Sequence, residues 1–190
     1  MNITFLIPYI VYNKLKQKKG TFMKKFTFAL LFASLLSFAH AADDIITVTT
    51  VKNKTLNIIG TDVGLNIKEY QDKVVFLEFF GHRCPPCIKS IPHYIKLQEK
   101  YKDKLAIVAI EVQGLNNTAL KKFVEEKGIN YATISQEKAG SLVPYISKRA
   151  QWEGAIPFLI VLDPKGEVQL VQAGMLPETT LEKLILKLSK

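Results

Sequence analysis

Beyond residue 42, apolar and polar positions divide the chain into segments of regular period. Residues 45–51 and 55–59 alternate β-branched with polar side chains around a short polar turn, which predicts a hairpin. After a polar connection at residues 60–73, residues 74–80 are apolar at nearly every position, and only Glu78 interrupts them. Such a run predicts a central strand that is covered on both faces.

Helical and strand periods then alternate. A helix from residue 85 is predicted by apolar residues at every third or fourth position: Ile88, Ile91, Tyr94 and Ile95. Residues 105–110 form a second continuous apolar strand, and a further helix ends near Gly128, which suits a left-handed cap. A short strand is predicted at residues 131–134 and a short helix at residues 141–148.

The chain closes with a second hairpin and a helix. Residues 158–162 and 168–171 flank Asp163-Pro164-Lys165-Gly166, whose composition is typical of a turn. The last helix is marked by one apolar stripe: Leu181, Leu184, Ile185 and Leu188. Together these elements predict an α/β fold, a mixed central sheet with helices on both faces and an N-terminal β-hairpin extension.

Residues 23–41 have the three parts of a signal peptide. Met23-Lys24-Lys25 supplies positive charge, residues 26–39 are apolar, and Ala39-His40-Ala41 fits a cleavage site. A transmembrane anchor is the alternative, but these 14 apolar residues fall short of the roughly 20 that span a bilayer. Cleavage leaves residues 42–190 as the mature domain. We expect export to the bacterial periplasm, with tethering there if the signal stays uncleaved.

Residues 1–22 precede this leader and hold a second apolar stretch and a basic cluster that no signal peptide requires. We predict that they lie upstream of the true start at Met23. An extended, positively charged beginning of the signal peptide is the alternative.

The positive charge of the chain is concentrated in the leader. The whole sequence has 26 basic and 17 acidic residues, a formal net charge of +9 that would suggest a nucleic acid or an anionic membrane as partner. Six of the lysines and none of the acids fall in residues 1–42, which leaves +3 for residues 43–190. The mature domain therefore has the charge of an ordinary soluble domain, and we expect a monomer that binds no nucleic acid.

Cys84 and Cys87 are the only two cysteines, and they stand between a predicted buried strand and a predicted helix. A disulfide that closes so small a loop removes little chain entropy, so stabilisation is a poor reason for the pair. A zinc site needs four ligands, and the sequence has no second C-x-x-C to supply them. We expect neither a metal nor a cofactor, and a redox-active dithiol explains the position best.

A thiolate at Cys84 would lie at the first helical turn, where free N–H groups and the helix dipole stabilise negative charge. Such positions lower a thiol pKa from about 8.5 to roughly 3.5–7.5, which predicts Cys84 as the nucleophile. Cys87, one turn further, is placed to resolve the mixed disulfide that results. Pro85 and Pro86 suit the first turn but withhold two N–H donors. Arg83, and with less support His82, would add positive charge nearby.

Residues 76–87, Phe-Leu-Glu-Phe-Phe-Gly-His-Arg-Cys-Pro-Pro-Cys, resemble the active-site region of the thioredoxin superfamily. Glu78 stands six residues before Cys84, where thioredoxins have a buried acid, and Pro92 stands where they kink the active-site helix. Ile156-Pro157 resembles the cis-proline segment, and Gly174 resembles the glycine near the end of the last strand. The resemblance covers residues 74–190 and implies a thioredoxin-like domain.

The exported form and residues 158–166 are most similar to periplasmic thioredoxins of the TlpA and ResA type. This resemblance implies a reductase of protein disulfides, with apocytochrome c as a frequent client. Three positions depart from the family pattern: Arg83 replaces an aromatic residue, Pro85-Pro86 fills the variable dipeptide, and Ile156 replaces a hydroxyl residue. These departures concern the reduction potential and the choice of client.

Two further site residues can be argued physically. A carboxyl group in an apolar strand is costly to ionise, so Glu78 is predicted to have a raised pKa and to accept the Cys87 proton. The alternative is a carboxylate that reaches solvent at the strand end. Pro157 in cis would expose the backbone of Ile156 to an extended client, whereas a trans proline would merely start an edge strand. The predicted client-binding residues are Ile156, Pro157, Arg83, Pro85 and Pro86.

Four functions remain open on the sequence alone. The first is an exported thiol-disulfide reductase of disulfide-containing client proteins, regenerated by a membrane electron donor. The second is a disulfide oxidase or isomerase, because direction follows reduction potential rather than fold. The third is a Cu(I)-binding chaperone with Cys84, Cys87 and His82 as ligands, although Met175 is the only methionine of the mature domain. The fourth is a purely structural domain.

Overall fold

The turn at residues 50–54 joins the first two strands of a small antiparallel sheet. The computed structural model describes residues 45–190, so the predictions for residues 1–44 lie outside the described residues. Strands β1 (Ile45–Thr49) and β2 (Thr55–Gly60) pair as the predicted hairpin. A third strand, β3 (Leu65–Ile67), adds to β2 and was not predicted. The strand lies within a polar connection, and its three residues are too few to give a periodic pattern of apolar positions.

The central sheet has five strands in the order β6-β5-β4-β7-β8. The strands are β4 (Val74–Phe80), β5 (Leu105–Glu111), β6 (Ala132–Ser135), β7 (Phe158–Leu162) and β8 (Val168–Ala173). Strands β4, β5 and β6 are parallel, whereas β7 and β8 run antiparallel to their neighbours. The mixed sheet of the sequence prediction is therefore confirmed, and β4 occupies its centre.

Helices cover both faces of this sheet, as predicted. Their bounds are α1 (Pro85–Lys100), α2 (Asn117–Glu126), α3 (Leu142–Ala150) and α4 (Glu178–Leu188). One face packs against α1, α2 and α4, and the other packs against α3 and the three-stranded sheet. Within residues 45–190, no helix combines the length and the apolar character needed to cross a membrane.

The two sheets are joined by backbone hydrogen bonds at the turn between β7 and β8. Leu65 N–H donates to the Gly166 carbonyl at 2.9 Å, and Val168 N–H donates to the Val63 carbonyl at 3.0 Å. Gly64 lies between them, and a Cβ on this residue would lie 2.0 Å from the Gly166 oxygen. A glycine is therefore required where the chains approach, and the small sheet is held against the central one.

Candidate active site

The two cysteines lie where β4 has ended and α1 begins. Cys84 is the N-cap residue of α1 and is 6% exposed, whereas Cys87 in the first turn is 1% exposed. The two sulfur atoms form a disulfide bond, with the Cα atoms 5.2 Å apart. The structure therefore represents the oxidised state, in which the first cysteine is the more accessible of the two.

The first turn of α1 directs one backbone donor at the Cys84 sulfur. Pro85 and Pro86 occupy its first two positions and have no N–H to offer. Cys87 N–H donates to Cys84 Sγ at 3.3 Å, whereas Ile88 N–H donates to the Cys84 carbonyl. A thiolate at Cys84 would thus be stabilised by the helix terminus and by a single N–H group.

The opposite side of the dithiol is formed by the segment before β7. The peptide bond between Ile156 and Pro157 is cis, and the Ile156 carbonyl oxygen lies 3.9 Å from Cys84 Sγ. Gly174 N–H donates to the Pro157 carbonyl at 2.8 Å and fixes the segment to the end of β8. The predicted client-binding residues Ile156 and Pro157 therefore lie beside the predicted nucleophile, and Arg83, Pro85 and Pro86 are exposed next to it.

Glu78 lies inside the protein, on the sheet face that carries α1. It is 3% exposed, and its sheet neighbours in β5 and β7 are Ala109 and Leu159. Desolvation by burial raises the pKa of Glu78 to about 8, and hydrogen bonding from Tyr94 partly opposes this rise. One oxygen, Oε1, has no hydrogen-bond partner. The carboxylate does not reach solvent at the strand end, which was the alternative.

Tyr94 belongs to the same buried stripe of α1 as Cys87. Burial, and then the charge of Glu78, raise the pKa of Tyr94 well above its ordinary value, so its hydroxyl group keeps its proton. The Tyr131 ring packs edge-on against it, with 6.2 Å between centroids. The stripe therefore presents both Cys87, the predicted resolving cysteine, and a hydrogen-bond donor to the face on which Glu78 lies.

Two residues of this region were missed by sequence reasoning, Glu111 and Gln113. Glu111 ends β5 and is 0% exposed, and its Oε1 atom lies 2.8 Å from His82 Nδ1. Gln113 Oε1 accepts from Arg83 N–H at 2.9 Å. The sequence signal for Glu111 was a carboxylate directly after a predicted apolar strand. In the structure, parallel β4 and β5 pair Phe80 with Glu111, so this carboxylate lies next to the cysteine turn.

Gly81 leaves the space that the Gln113 side chain occupies. A Cβ at this residue would lie 2.3 Å from Gln113 Cδ, so Gly81→Ala is expected to displace the amide from Arg83 N–H. We expect a loss of about 1 kcal/mol in the free energy of unfolding, the value of a typical hydrogen bond. A urea double-mutant cycle with Gln113→Ala checks it. The loss of unfolding free energy in the double variant should be smaller than the sum of the losses in the two single variants. A loss equal to that sum would mean that Gly81→Ala does not act through the Gln113 side chain.

Among the residues that the structure describes, no three His, Cys, Asp or Glu side chains are grouped so as to hold a metal ion. The polar groups near the dithiol instead bond to one another: His82 to Glu111, and Arg83 N–H to Gln113. What this site offers chemically is a reducible disulfide with a buried carboxyl group on the sheet face behind α1.

Comparison with known proteins gives one family match and several relatives. A family model described as AhpC/TSA matches residues 47–171. The thiol-disulfide oxidoreductase ResA of Halalkalibacterium halodurans is 26% identical over 122 residues, or 64% of this chain and 65% of that protein. The protein of the same name from Bacillus thuringiensis subsp. konkukian is 27% identical over 139 residues, or 70% of this chain and 75% of that protein. The matches thus span about two thirds to three quarters of these relatives.

Solved structures share the fold. A thiol:disulfide interchange protein of the thioredoxin family from Chlorobium tepidum superposes with a TM-score of 0.61 at 20% identity, covering 77% of this chain and 94% of that chain. A thiol-disulfide isomerase from Corynebacterium glutamicum gives 0.58 at 21% identity, covering 79% and 98%. At such identities the likeness establishes the thioredoxin-like fold.

Proposed function

The chain belongs to the AhpC/TSA family of thioredoxin-like proteins, and from that premise we propose that it is a thiol-disulfide oxidoreductase that reduces disulfides of client proteins. The observation that carries the proposal is the position of Cys84. Its sulfur receives the Cys87 N–H at a helix N-terminus and lies 3.9 Å from the Ile156 carbonyl. The N–H donor at the helix N-terminus stabilises a nucleophilic thiolate. The nearby Ile156 carbonyl can pair with the backbone of an extended client.

The reaction begins with the reduced dithiol. The Cys84 thiolate attacks one sulfur of a client disulfide, the client S–S bond breaks, and the other client sulfur leaves with the electron pair. Cys84 is thereby joined to the client in a mixed disulfide. The proposal assigns this attack to Cys84 because it is the more exposed cysteine and lies at the helix terminus.

Cys87 completes the reaction. Its thiol transfers a proton to the Glu78 carboxylate, directly or through water, and its sulfur then attacks Cys84. The disulfide between Cys84 and Cys87 forms as the bond between Cys84 and the client breaks. The client sulfur takes the electron pair of that bond, and the client leaves fully reduced. Glu78 suits this role because a pKa of about 8 lets it accept and release a proton near neutral pH.

Client binding is assigned to the exposed rim of the dithiol. Pro85 and Pro86 present an apolar surface without N–H groups, and Arg83 adds a positive charge. The backbone of Ile156 offers hydrogen bonds to an extended client segment, as in β-augmentation. Apart from the positive charge of Arg83, we expect this rim not to select client segments by their acidic or basic residues.

The location is proposed from the predicted signal peptide at residues 23–41, and the partners are proposed from the resemblance to thioredoxins of the TlpA and ResA type. Export by that signal peptide places the domain in the bacterial envelope, where disulfides form and persist. Apocytochrome c is the proposed client, and a membrane electron donor is proposed to return Cys84 and Cys87 to the dithiol form.

The reduction potential of the full chain tests the direction of transfer. Equilibration against glutathione, followed by thiol trapping of Cys84, should give a value near roughly −270 mV, as for thioredoxin. A value near roughly −120 mV would instead identify a disulfide donor. That result would replace the reductase assignment with disulfide formation.

A further inference from the structure

The turn that leads into the nucleophile is fixed by hydrogen bonds from the backbone N–H groups of residues 82–84. Cys84 N–H donates to the Gly81 carbonyl at 3.2 Å, and Arg83 N–H donates to Gln113 Oε1 at 2.9 Å. His82 N–H faces Glu111 Oε1 at 3.4 Å. The turn is therefore held by a bond of its own, by Glu111 at the end of β5 and by Gln113 in the loop that follows, and the His82 ring is held by Glu111.

Glu111 is a buried carboxyl group surrounded by donors. Its Oε1 atom accepts from Gln113 N–H at 3.1 Å, and its Oε2 atom accepts from Leu115 N–H at 2.8 Å. The remaining partner is His82 Nδ1 at 2.8 Å. Because backbone N–H groups can only donate, both oxygens of Glu111 already serve as acceptors, which favours the tautomer in which the ring donates from Nδ1. Among residues 45–190, Glu111 is the ionisable side chain bonded to this ring.

This contact leaves Nε2 as the free nitrogen of the His82 ring. The Glu111 side chain is 0% exposed and the His82 side chain is 21% exposed, so the ring extends from the interior to the surface. It does so two residues before Cys84, in the same fixed turn. A carboxylate that orients an imidazole through Nδ1 while Nε2 handles a proton is a recurring arrangement in enzymes.

We propose that His82, oriented by Glu111, is the general acid that protonates the client sulfur expelled when Cys84 attacks. The proposal rests on the reductase function proposed above. As the client S–S bond breaks, the departing sulfur keeps the electron pair and takes the proton from Nε2 of the protonated ring. The neutral ring regains a proton from solvent. Glu111 does not touch the client and is a positioning residue.

The chemistry of the leaving group explains the need for this proton. An alkyl thiol of a client has a pKa of about 8.5, so its thiolate is a poorer leaving group than one of lower pKa. Histidine is the side chain that gains and loses a proton between about pH 5 and 8. Arg83, the other basic residue of the turn, stays protonated and cannot transfer a proton.

The variant His82→Asn separates acid catalysis from positioning, because the asparagine amide can still donate to Glu111 but cannot protonate a thiolate. The reduced full chain is mixed with three uncharged reagents in single-turnover experiments at pH 7. Bis(2-hydroxyethyl) disulfide expels an alkyl thiolate, dithiodipyridine expels a stable thione, and iodoacetamide expels iodide. We expect the variant to react about a hundred-fold more slowly with the first reagent and unchanged with the other two.

Matched controls make the outcome specific. His93→Asn changes a histidine of α1 outside the turn and should leave all three rates unchanged. Glu111→Gln should lower the rate with the alkyl disulfide relative to the rate with dithiodipyridine, because the ring is no longer held by a carboxylate. A purely structural defect would slow the reactions with the alkyl disulfide and with dithiodipyridine equally, so it would not alter the ratio of these two rates.

Equal slowing of all three reactions by His82→Asn would overturn the proposal, since the effect would then fall on the Cys84 nucleophile. An unchanged rate with the alkyl disulfide would overturn it as well. Failure of the wild-type chain to reduce either disulfide, while iodoacetamide still modifies Cys84, would instead refute the reductase function.

Discussion

Replacing Cys84 by serine is expected to reduce disulfide turnover at least about a thousand-fold, because a hydroxyl group at this helix terminus stays protonated and is a far poorer nucleophile. The comparison that assigns the roles is Cys87→Ser. This variant keeps the nucleophile but cannot release the client, so it should form a mixed disulfide in one turnover and then stop. Incubation with a disulfide-bonded client, followed by electrophoresis with and without reductant, measures both.

The two variants contradict the assignment if their behaviour is exchanged. Accumulation of a client adduct on Cys84→Ser, through the 1% exposed Cys87, would make the buried cysteine the attacking group. Loss of single-turnover attack in Cys87→Ser would mean that the two sulfurs act together from the first step. Circular dichroism of both variants checks that the fold is retained.

Glu78 is expected to make the stability of the protein depend strongly on pH. Its pKa is about 8 in the folded chain and 4.5 in the reference state. Between these values the folded chain holds a proton that the unfolded chain has released, so stability falls as the pH rises through this window. The decline amounts to about 3–5 kcal/mol. Glu78→Gln removes it, and urea unfolding of the disulfide-bonded forms at both ends of the window measures the difference.

Glu99→Gln is the matched control, because it removes an exposed carboxylate of α1 and keeps Glu78, so this variant should retain the decline of the wild type. In the Glu78 variant the free energy of unfolding should rise relative to the wild type as the pH increases. A constant difference across the window would show that the Glu78 carboxyl group titrates like an exposed one. The role of Glu78 as proton acceptor for Cys87 would then lose its physical basis.

Local patterns carried most of the fold. The continuous apolar run at residues 74–80 predicted the central strand, and the helical spacing after residue 85 predicted α1, because both signals are complete within one segment. The C-x-x-C spacing and the acid six residues earlier are likewise local. The roles of Cys84, Cys87 and Glu78 stay predictions that the experiments above address. The client-binding roles of Arg83, Pro85, Pro86, Ile156 and Pro157 stay predictions as well.

Long-range contacts could not be predicted in the same way. Glu111 is 29 residues from His82 in sequence, and only the parallel register of β4 and β5 brings the two together. Gln113 and Gly81 are complementary in shape, which no single-segment pattern reveals. Strand β3 exists because β2 and the turn near Gly166 hold it from two sides.

The bonds from residues 63–65 to the turn between β7 and β8 have a consequence for how the protein loses its structure. These bonds join the small sheet to a hairpin about a hundred residues later in the sequence. Contacts between residues so far apart in sequence carry a large loop-closure entropy cost, so they form late in folding. The small sheet and the hairpin of β7 and β8 are therefore expected to fold together as one cooperative unit. The small sheet also covers apolar residues of the central one. Proteases should therefore find no stable core fragment that lacks it, and the N-terminal extension is an integral part of the domain.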